Sequence, residues 1–261
     1  MGLTTLVQFA GWWHTSCSLT GYGVTTTEPK SMNTLIVGAT SSIGRSTTQA
    51  FVAAGHRVLA TSRQATTRPV KPRVTWSDLD LTDVKSIESF TNSAVPGFGP
   101  LDVVVVLAGL LPGQQLAEYQ DEELDLVMTV NFSGPARLIR SLLPHLSDKA
   151  HIILTSSVSG LRGSYDPIYA ASKAALIGFT KSLATWLGPN VRANAIAPAL
   201  VQYSTMYDAM LPEHRDKHVQ DSPTGRLTTL EEVADLVLQL VGPAWSGTTG
   251  EVISIDSTPN Q

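Results

Sequence analysis

In "YAASK", Tyr169 stands four residues ahead of Lys173, a spacing that stacks both side chains on one face of a helix. A free phenol has a pKa of about 10, which makes it a sluggish base near neutrality. An ammonium one helical turn away favours the phenolate and should lower that pKa, each unit being worth about 1.4 kcal/mol between protonation states. The pair therefore points to general acid or base catalysis at an oxygen that gains or loses a proton. In isolation, the same pair is also what a solvated helix face presents. Tyr165 has no lysine one turn later, because position 169 is itself tyrosine, so it is a candidate only for lining a pocket.

A second stretch, "LIVGATSSIGRS", places Gly38 directly after an apolar run and Gly44 at the opening of a helix. Glycines there let the backbone of Thr40, Ser41, Ser42 and Ile43 approach a pyrophosphate, while the helix N-terminus offers free N–H groups and partial positive charge. The stretch is not a G-x-G-x-x-G, and a glycine turn between strand and helix also arises for geometric reasons alone. Further on, "HRVLATSRQ" ends with Ser62 and Arg63 where a dinucleotide site that prefers NAD carries an acid. A carboxylate would repel a ribose 2′-phosphate, whereas a guanidinium grips one through paired charged hydrogen bonds. NADPH is thus expected over NADH. Arg45 is a further source of positive charge, or simply a surface helix residue.

These groups need a scaffold, and the apolar pattern supplies one. Runs rich in Val, Ile and Leu near 33–38, 57–62, 73–76, 102–107, 150–155, 190–196 and 251–255 alternate with helical periodicity near 43–54, 83–94, 118–147, 167–187 and 229–241. That alternation implies right-handed βαβ crossovers and a parallel sheet covered on both faces, an α/β doubly wound architecture. The chain of 261 residues suits one such domain, and its 15% charged residues fit a packed core better than a disordered chain. A net charge of −4 gives no basic surface for nucleic acid or anionic membrane. The longest apolar run, "VVVVLAGLL", is far short of the ~20 residues of a membrane span. One cysteine, Cys17, precludes an internal disulfide and a multi-cysteine metal site, and suits the reducing cytoplasm. "HRDKH" sets His214 and His218 one turn apart but lacks the adjoining glutamate of a zincin, so no metal is expected. Residues 1–31 carry no basic n-region and read as a weakly structured extension ahead of a domain over 32–261. The irregular connection from Ala199 to Arg226, near the carboxyl ends of strands, is the natural substrate lid.

Taken together, "GATSSIG", "DLTD" (80–83), "LAG" (107–109), Asn131 in "VNFSG", "SSVSG" (156–160) and "YAASK" (169–173) occur in one order and spacing. That combination resembles the short-chain dehydrogenase/reductase family from Met32 to Asp256, with 3-oxoacyl carrier-protein reductases as the nearest broad likeness. The resemblance implies a seven-stranded Rossmann-type sheet and a catalytic tetrad of Asn131, Ser157, Tyr169 and Lys173. In that tetrad Ser157, which competes with Ser156, would polarise the substrate carbonyl, Lys173 would also bond the nicotinamide ribose, and Asn131 would hold a relay water. It further implies that Asp80 and Leu81 address the adenine, that Ala108 and Gly109 border the cofactor, that the segment with Pro198 and Val201 reaches the carboxamide, and that the protein is a homodimer or homotetramer. Four departures stand out: Ser42 replaces a middle glycine, Leu107 an asparagine, and Ala199 and Ser257 glycines. The expected activity is NADPH-dependent reduction of a small or acyl-linked ketone. The alternatives are a secondary-alcohol dehydrogenase and a non-catalytic NADP(H) sensor or scaffold.

Overall fold

Strands that are apolar at every position, not at every second one, must be buried on both faces. The central strands are built that way, and β1 (Asn33–Val37), β2 (Arg57–Ser62), β3 (Val74–Asp78), β4 (Leu101–Val106), β5 (Leu146–Thr155), β6 (Arg192–Pro198) and β7 (Val252–Ile255) pair side by side in the order β3-β2-β1-β4-β5-β6-β7. Every pairing is parallel. The structure, a computed structural model, describes residues 31–65, 68, 71–222 and 224–255. The extension expected over 1–31 lies outside the described residues except for Ser31, whose hydroxyl donates to Gly55 O at 2.8 Å; Asp256 and Ser257 lie outside them too.

The helices are α1 (Ser42–Ala53), α2 (Val84–Ser89), α3 (Val95–Phe98), α4 (Asp121–Met128), α5 (Gly134–Leu142), α6 (Val158–Arg162), α7 (Pro167–Leu187), α8 (Thr205–Ala209), α9 (Pro212–Gln220) and α10 (Leu230–Leu240). Alternate strand residues feed two cores. Leu35, Val37, Val104, Val106, Ile152 and Leu154 pack on the face that includes Leu138, Leu142 and Leu176. Ile36, Val58, Val103, Val105, Ile153 and Ile196 pack on the other, with Phe51, Val233 and Val237. Period-two alternation between two apolar faces explains why the sequence shows unbroken apolar runs.

The helix expected over 118–147 is not continuous. It is α4, then a π-helical turn at Thr129–Ser133, then α5, then a 3₁₀ turn at Leu143–His145, and Leu146 already belongs to β5. Pro135 begins a fresh first turn, and Pro144 cannot continue an α-helix because it lacks an N–H. The helix expected over 83–94 is likewise split, α2 passing through a π turn at Phe90–Ala94 into α3. The lid connection is more ordered than expected, holding α8 and α9; α9 opens on Pro212 with Glu213 in its first turn and closes with Lys217 and His218 in its last, charges that suit the helix dipole.

Candidate active site

Between β1 and β4 the strand order reverses, and the chain leaves their carboxyl ends to form the crevice where open α/β sheets take ligands. Gly38 follows β1 with φ 83°, a left-handed conformation that side chains disfavour. A Cβ at Gly38 would lie 2.8 Å from Ala108 N, so the loops after β1 and β4, the latter carrying Ala108 and Gly109, meet there backbone to backbone. A Cβ at Gly44 would lie 2.2 Å from Gly38 O and 2.8 Å from Ala39 Cα. Ser41 caps α1, accepting from Gly44 N at 3.0 Å and donating to Gly38 O at 2.9 Å. Arg45 closes over the turn, donating to Thr40 O at 2.6 Å and Ser42 Oγ at 3.4 Å, while Ile43 anchors it in the core beneath. The cradle, and the N-terminus of the 12-residue α1, fit a pyrophosphate.

At the far end of the crevice, Ser62 is buried and its hydroxyl accepts from Gln64 N at 3.1 Å, leaving Arg63 exposed on the rim. Asp78 Oδ1 accepts from Ala65 N at 2.6 Å and so fixes the turn that presents Arg63, a function sequence reading did not assign. Asp80 is held below the usual carboxylate range by the Thr82 hydroxyl; burial opposes the shift, and the Thr82 backbone and Arg63 guanidinium reinforce it. Leu81 is buried, and a Cβ at Gly134 would lie 2.5 Å from its carbonyl oxygen. Gly134 therefore lets the start of α5 press against the loop holding Leu81.

The chemistry centre sits where β4, β5 and α7 meet. Asp166 accepts from Tyr169 N at 2.8 Å and Pro167 follows as a preformed first-turn residue, which starts α7 in the register that carries Tyr169 and Lys173. Ser157 is close enough to the Tyr169 hydroxyl to draw the phenol's pKa down. Ser157 in turn caps α6, accepting from Ser159 N at 3.1 Å, with Pro198 O a longer 3.5 Å away. Ser156 points elsewhere, donating to Lys173 O at 2.8 Å, so the two adjacent serines divide into one that pins the helix and one that faces the phenol. Gly160 makes this packing possible: a Cβ there would lie 2.7 Å from Lys173 C.

The electrostatics differ from the expectation drawn from spacing. Burial pushes the Tyr169 phenol above its ordinary value; Ser157 pulls it down and the Asp166 charge adds to the rise. Burial also brings Lys173 down to about 8. Its Nζ donates to Thr155 O at 2.8 Å and stands 5.8 Å from the Tyr169 ring centroid, over the ring and not at the hydroxyl. Desolvation disfavours the charged form of both groups, so without ligand the phenol stays an acid. Asn131, fully buried in the π turn, bonds Leu110 N and O at 2.7 and 2.9 Å and Ser172 Oγ at 2.9 Å. Both amide hydrogens are thereby used, and only Oδ1 keeps a lone pair for another donor. Lys173 Nζ and Asn131 Oδ1 flank Gly109, 3.2 and 3.5 Å from where its Cβ would stand.

Beyond Pro198, Val201 is 3% exposed and bridges Thr228, which ties the base of the lid to the chain entering α10. Tyr165 is 64% exposed and its hydroxyl accepts from Gln115 Nε2 at 2.8 Å. Among the described residues no group of three or more His, Cys, Asp or Glu side chains is placed to hold a metal ion, and no helix is long and apolar enough to cross a membrane.

A family profile described as Enoyl-(Acyl carrier protein) reductase matches residues 38–257. The 3-oxoacyl-acyl-carrier-protein reductase FabG of Thermotoga maritima is 35% identical over 235 residues, covering 85% of this chain and 95% of the relative. The chain belongs to the short-chain dehydrogenase/reductase family. Among solved structures, the 3-oxoacyl-acyl-carrier-protein reductase of Brucella melitensis ATCC 23457 superimposes with a TM-score of 0.76 at 31% identity, covering 87% of this chain and 90% of that one. A short-chain dehydrogenase/reductase of Brucella melitensis, described as a glucose/ribitol dehydrogenase, gives 0.79 at 25% identity over 88% and 97%.

As a short-chain dehydrogenase/reductase, the protein is an NAD(P)-dependent oxidoreductase acting on CH–OH and C=O groups. Within that frame the departures from the family pattern acquire physical content. Ser42 is buried and takes a bond from Arg45, so the missing glycine is replaced by a hydroxyl held in the loop. Leu107 still donates its N–H to Val37 O at 2.9 Å, so the strand end keeps its backbone tie without a polar side chain. Gly44 has no such freedom. Gly44→Ala should lower stability by about 1–3 kcal/mol, because the two nearest atoms its Cβ would meet, Gly38 O and Ala39 Cα, are backbone that cannot step aside. Thermal unfolding checks this; an unchanged Tm would contradict the close approach.

Proposed function

We propose that the protein reduces the ketone of a small or acyl-linked substrate with NADPH, with Tyr169 as proton donor. The observation that carries the reading is the gathering of Ser157, Tyr169 and Lys173 in one buried cluster, with Ser157 drawing down the Tyr169 pKa and Lys173 Nζ 5.8 Å from the Tyr169 ring centroid. Bound in the cradle, NADPH would supply the hydride. Ser157 holds and polarises the carbonyl oxygen, a donor set in advance where negative charge grows. Tyr169 gives its proton to that oxygen, and the raised pKa of the buried phenol keeps it in the acid form this direction needs. Lys173 then faces the phenolate, and Asn131 Oδ1 has one lone pair left to hold a water on the way to solvent. Gly38, Thr40, Ser41, Ser42, Ile43 and Gly44 hold the pyrophosphate, Arg63 the 2′-phosphate, Asp80 and Leu81 the adenine, Ala108 and Gly109 the ribose side, and Pro198 and Val201 the nicotinamide side.

Lys173 sets the pH dependence. Its value near 8 lies below the ordinary 10.5, so in the folded protein the ammonium dominates below about pH 8 and is lost above it. Activity that depends on the charge should be full below pH 8 and fall as pH rises through that value. Stability runs the other way: the penalty for burying the charge is fully present below about 8 and is relieved toward 10.5. A profile of kcat/KM that stays flat to pH 10 would remove Lys173 from the account.

The printed names of the relatives describe reduction of 3-oxoacyl groups, and the family description an enoyl group. The test offers 3-oxoacyl thioesters, simple ketones and 2-enoyl thioesters with NADPH or NADH, and secondary alcohols with NADP⁺. Absorbance follows the nicotinamide and mass spectrometry the product. Ketone-dependent consumption of NADPH yielding an alcohol is the expected result. Turnover confined to the enoyl substrates, or none at all, overturns the reading.

A further inference from the structure

The carboxylate of Asp166, 2% exposed, is the meeting point of two segments that lie about fifty residues apart in sequence. One oxygen caps α7 through Tyr169 N at 2.8 Å. The other accepts from Gly113 N at 3.0 Å and, more weakly, Gln114 N at 3.4 Å. Tyr119 Oη lies 2.9 Å from both oxygens. A buried carboxylate is tolerated only where charged hydrogen bonds replace its water, and here two backbone donors and a phenol from the strap over residues 113–119 do so. Gln115 adds a second tie, from its Nε2 to the Tyr165 hydroxyl, next door to Asp166. The strap begins four residues after Gly109, whose absent Cβ would stand 3.2 Å from Lys173 Nζ.

We propose that Asp166 is a positioning residue that locks the strap 113–119 onto the first turn of α7, so that one side chain sets both the wall of the substrate mouth and the register of Tyr169. The proposal rests on the ketone-reductase reading for its kinetic consequences, but the lock itself does not. Asp166 does not touch the reacting atoms. It acts through the strap on one side and through Tyr169 on the other. Its hydrogen bonds go to the strap and α7, which leaves cofactor binding to other residues.

Two variants separate the lock from the fold. Asp166→Asn keeps one oxygen for the helix cap but turns an amide donor toward groups that are themselves donors. Tyr119→Phe removes only the phenol that bridges both oxygens and leaves the cap intact. Hydrogen–deuterium exchange of residues 110–119 is measured on the full chain, alongside KM and kcat for the ketone found active and NADPH affinity by fluorescence titration. Both variants should exchange the strap about tenfold or more faster, as expected for loss of a charged hydrogen bond. Both should raise KM for the ketone more than they lower kcat and leave NADPH affinity unchanged, and the double variant should be no worse than the stronger single one. Unchanged exchange, an equal loss of NADPH affinity, or additive effects overturn the proposal. Should wild type reduce no ketone, the function fails, and the exchange measurement alone still decides the lock.

Discussion

Replacing Tyr169 by phenylalanine should slow ketone reduction about a thousandfold, within the range that positioned acid–base groups contribute, and leave NADPH affinity unchanged. The substitution deletes one oxygen from a ring that is 7% exposed, so the packing of α7 against β5 survives. What disappears is the α7 hydroxyl whose pKa Ser157 draws down. Ser157 and the cradle remain, so substrate and cofactor still bind and the loss should fall on kcat. Comparison of kcat with NADPH titration checks the split. Wild-type turnover in the variant would reject Tyr169 as the donor, and a matched loss of NADPH affinity would show that the phenol serves binding instead.

The second large effect concerns cofactor choice. Ser62→Asp together with Arg63→Ala should shift the ratio of kcat/KM for NADPH over NADH by about a hundredfold toward NADH. Loss of a charged hydrogen bond to the 2′-phosphate accounts for about 1.5–3 kcal/mol, where about 1.4 kcal/mol is tenfold. The new carboxylate adds repulsion to the same phosphate and offers an acceptor to a 2′-hydroxyl. Because Ser62 is buried at the strand end and Arg63 lies exposed beside it, the pair changes the rim without opening the core. An unmoved ratio would place the phosphate elsewhere, with Arg45 over the Thr40 carbonyl as the nearest candidate cation.

Whatever depended on near neighbours in sequence was legible before the structure. The central strands announce themselves because burial on both faces removes polar alternation, and Gly38 and Gly44 mark the turn between β1 and α1 because only a missing Cβ permits their contacts. The family pattern led to Ser157 over Ser156; in the structure the Ser156 hydroxyl donates to Lys173 O. What escaped depends on elements distant in sequence. Gly160 and Gly134 are needed for contacts with Lys173 and Leu81, which no local pattern reveals. The π turn that carries Asn131 keeps the apolar period close to helical, so one continuous helix was expected where the backbone widens and restarts at Pro135. Without cofactor the Tyr169 phenol is raised for the same reason: spacing reports the lysine, but the burial of both groups is set by elements distant in sequence. Asp166 drew no expectation from the sequence, because its partners lie near 113–119.

The most direct test of the central claim follows a label. With NADPH carrying deuterium at the transferred C4 position and a 3-oxoacyl thioester or simple ketone, the account predicts an alcohol with one deuterium on the carbinol carbon. The same product should form about a thousandfold more slowly in Tyr169→Phe at equal NADPH occupancy. An alcohol without the label, a saturated product from a carbon–carbon double bond in place of the alcohol, or equal rates in the two proteins would contradict it.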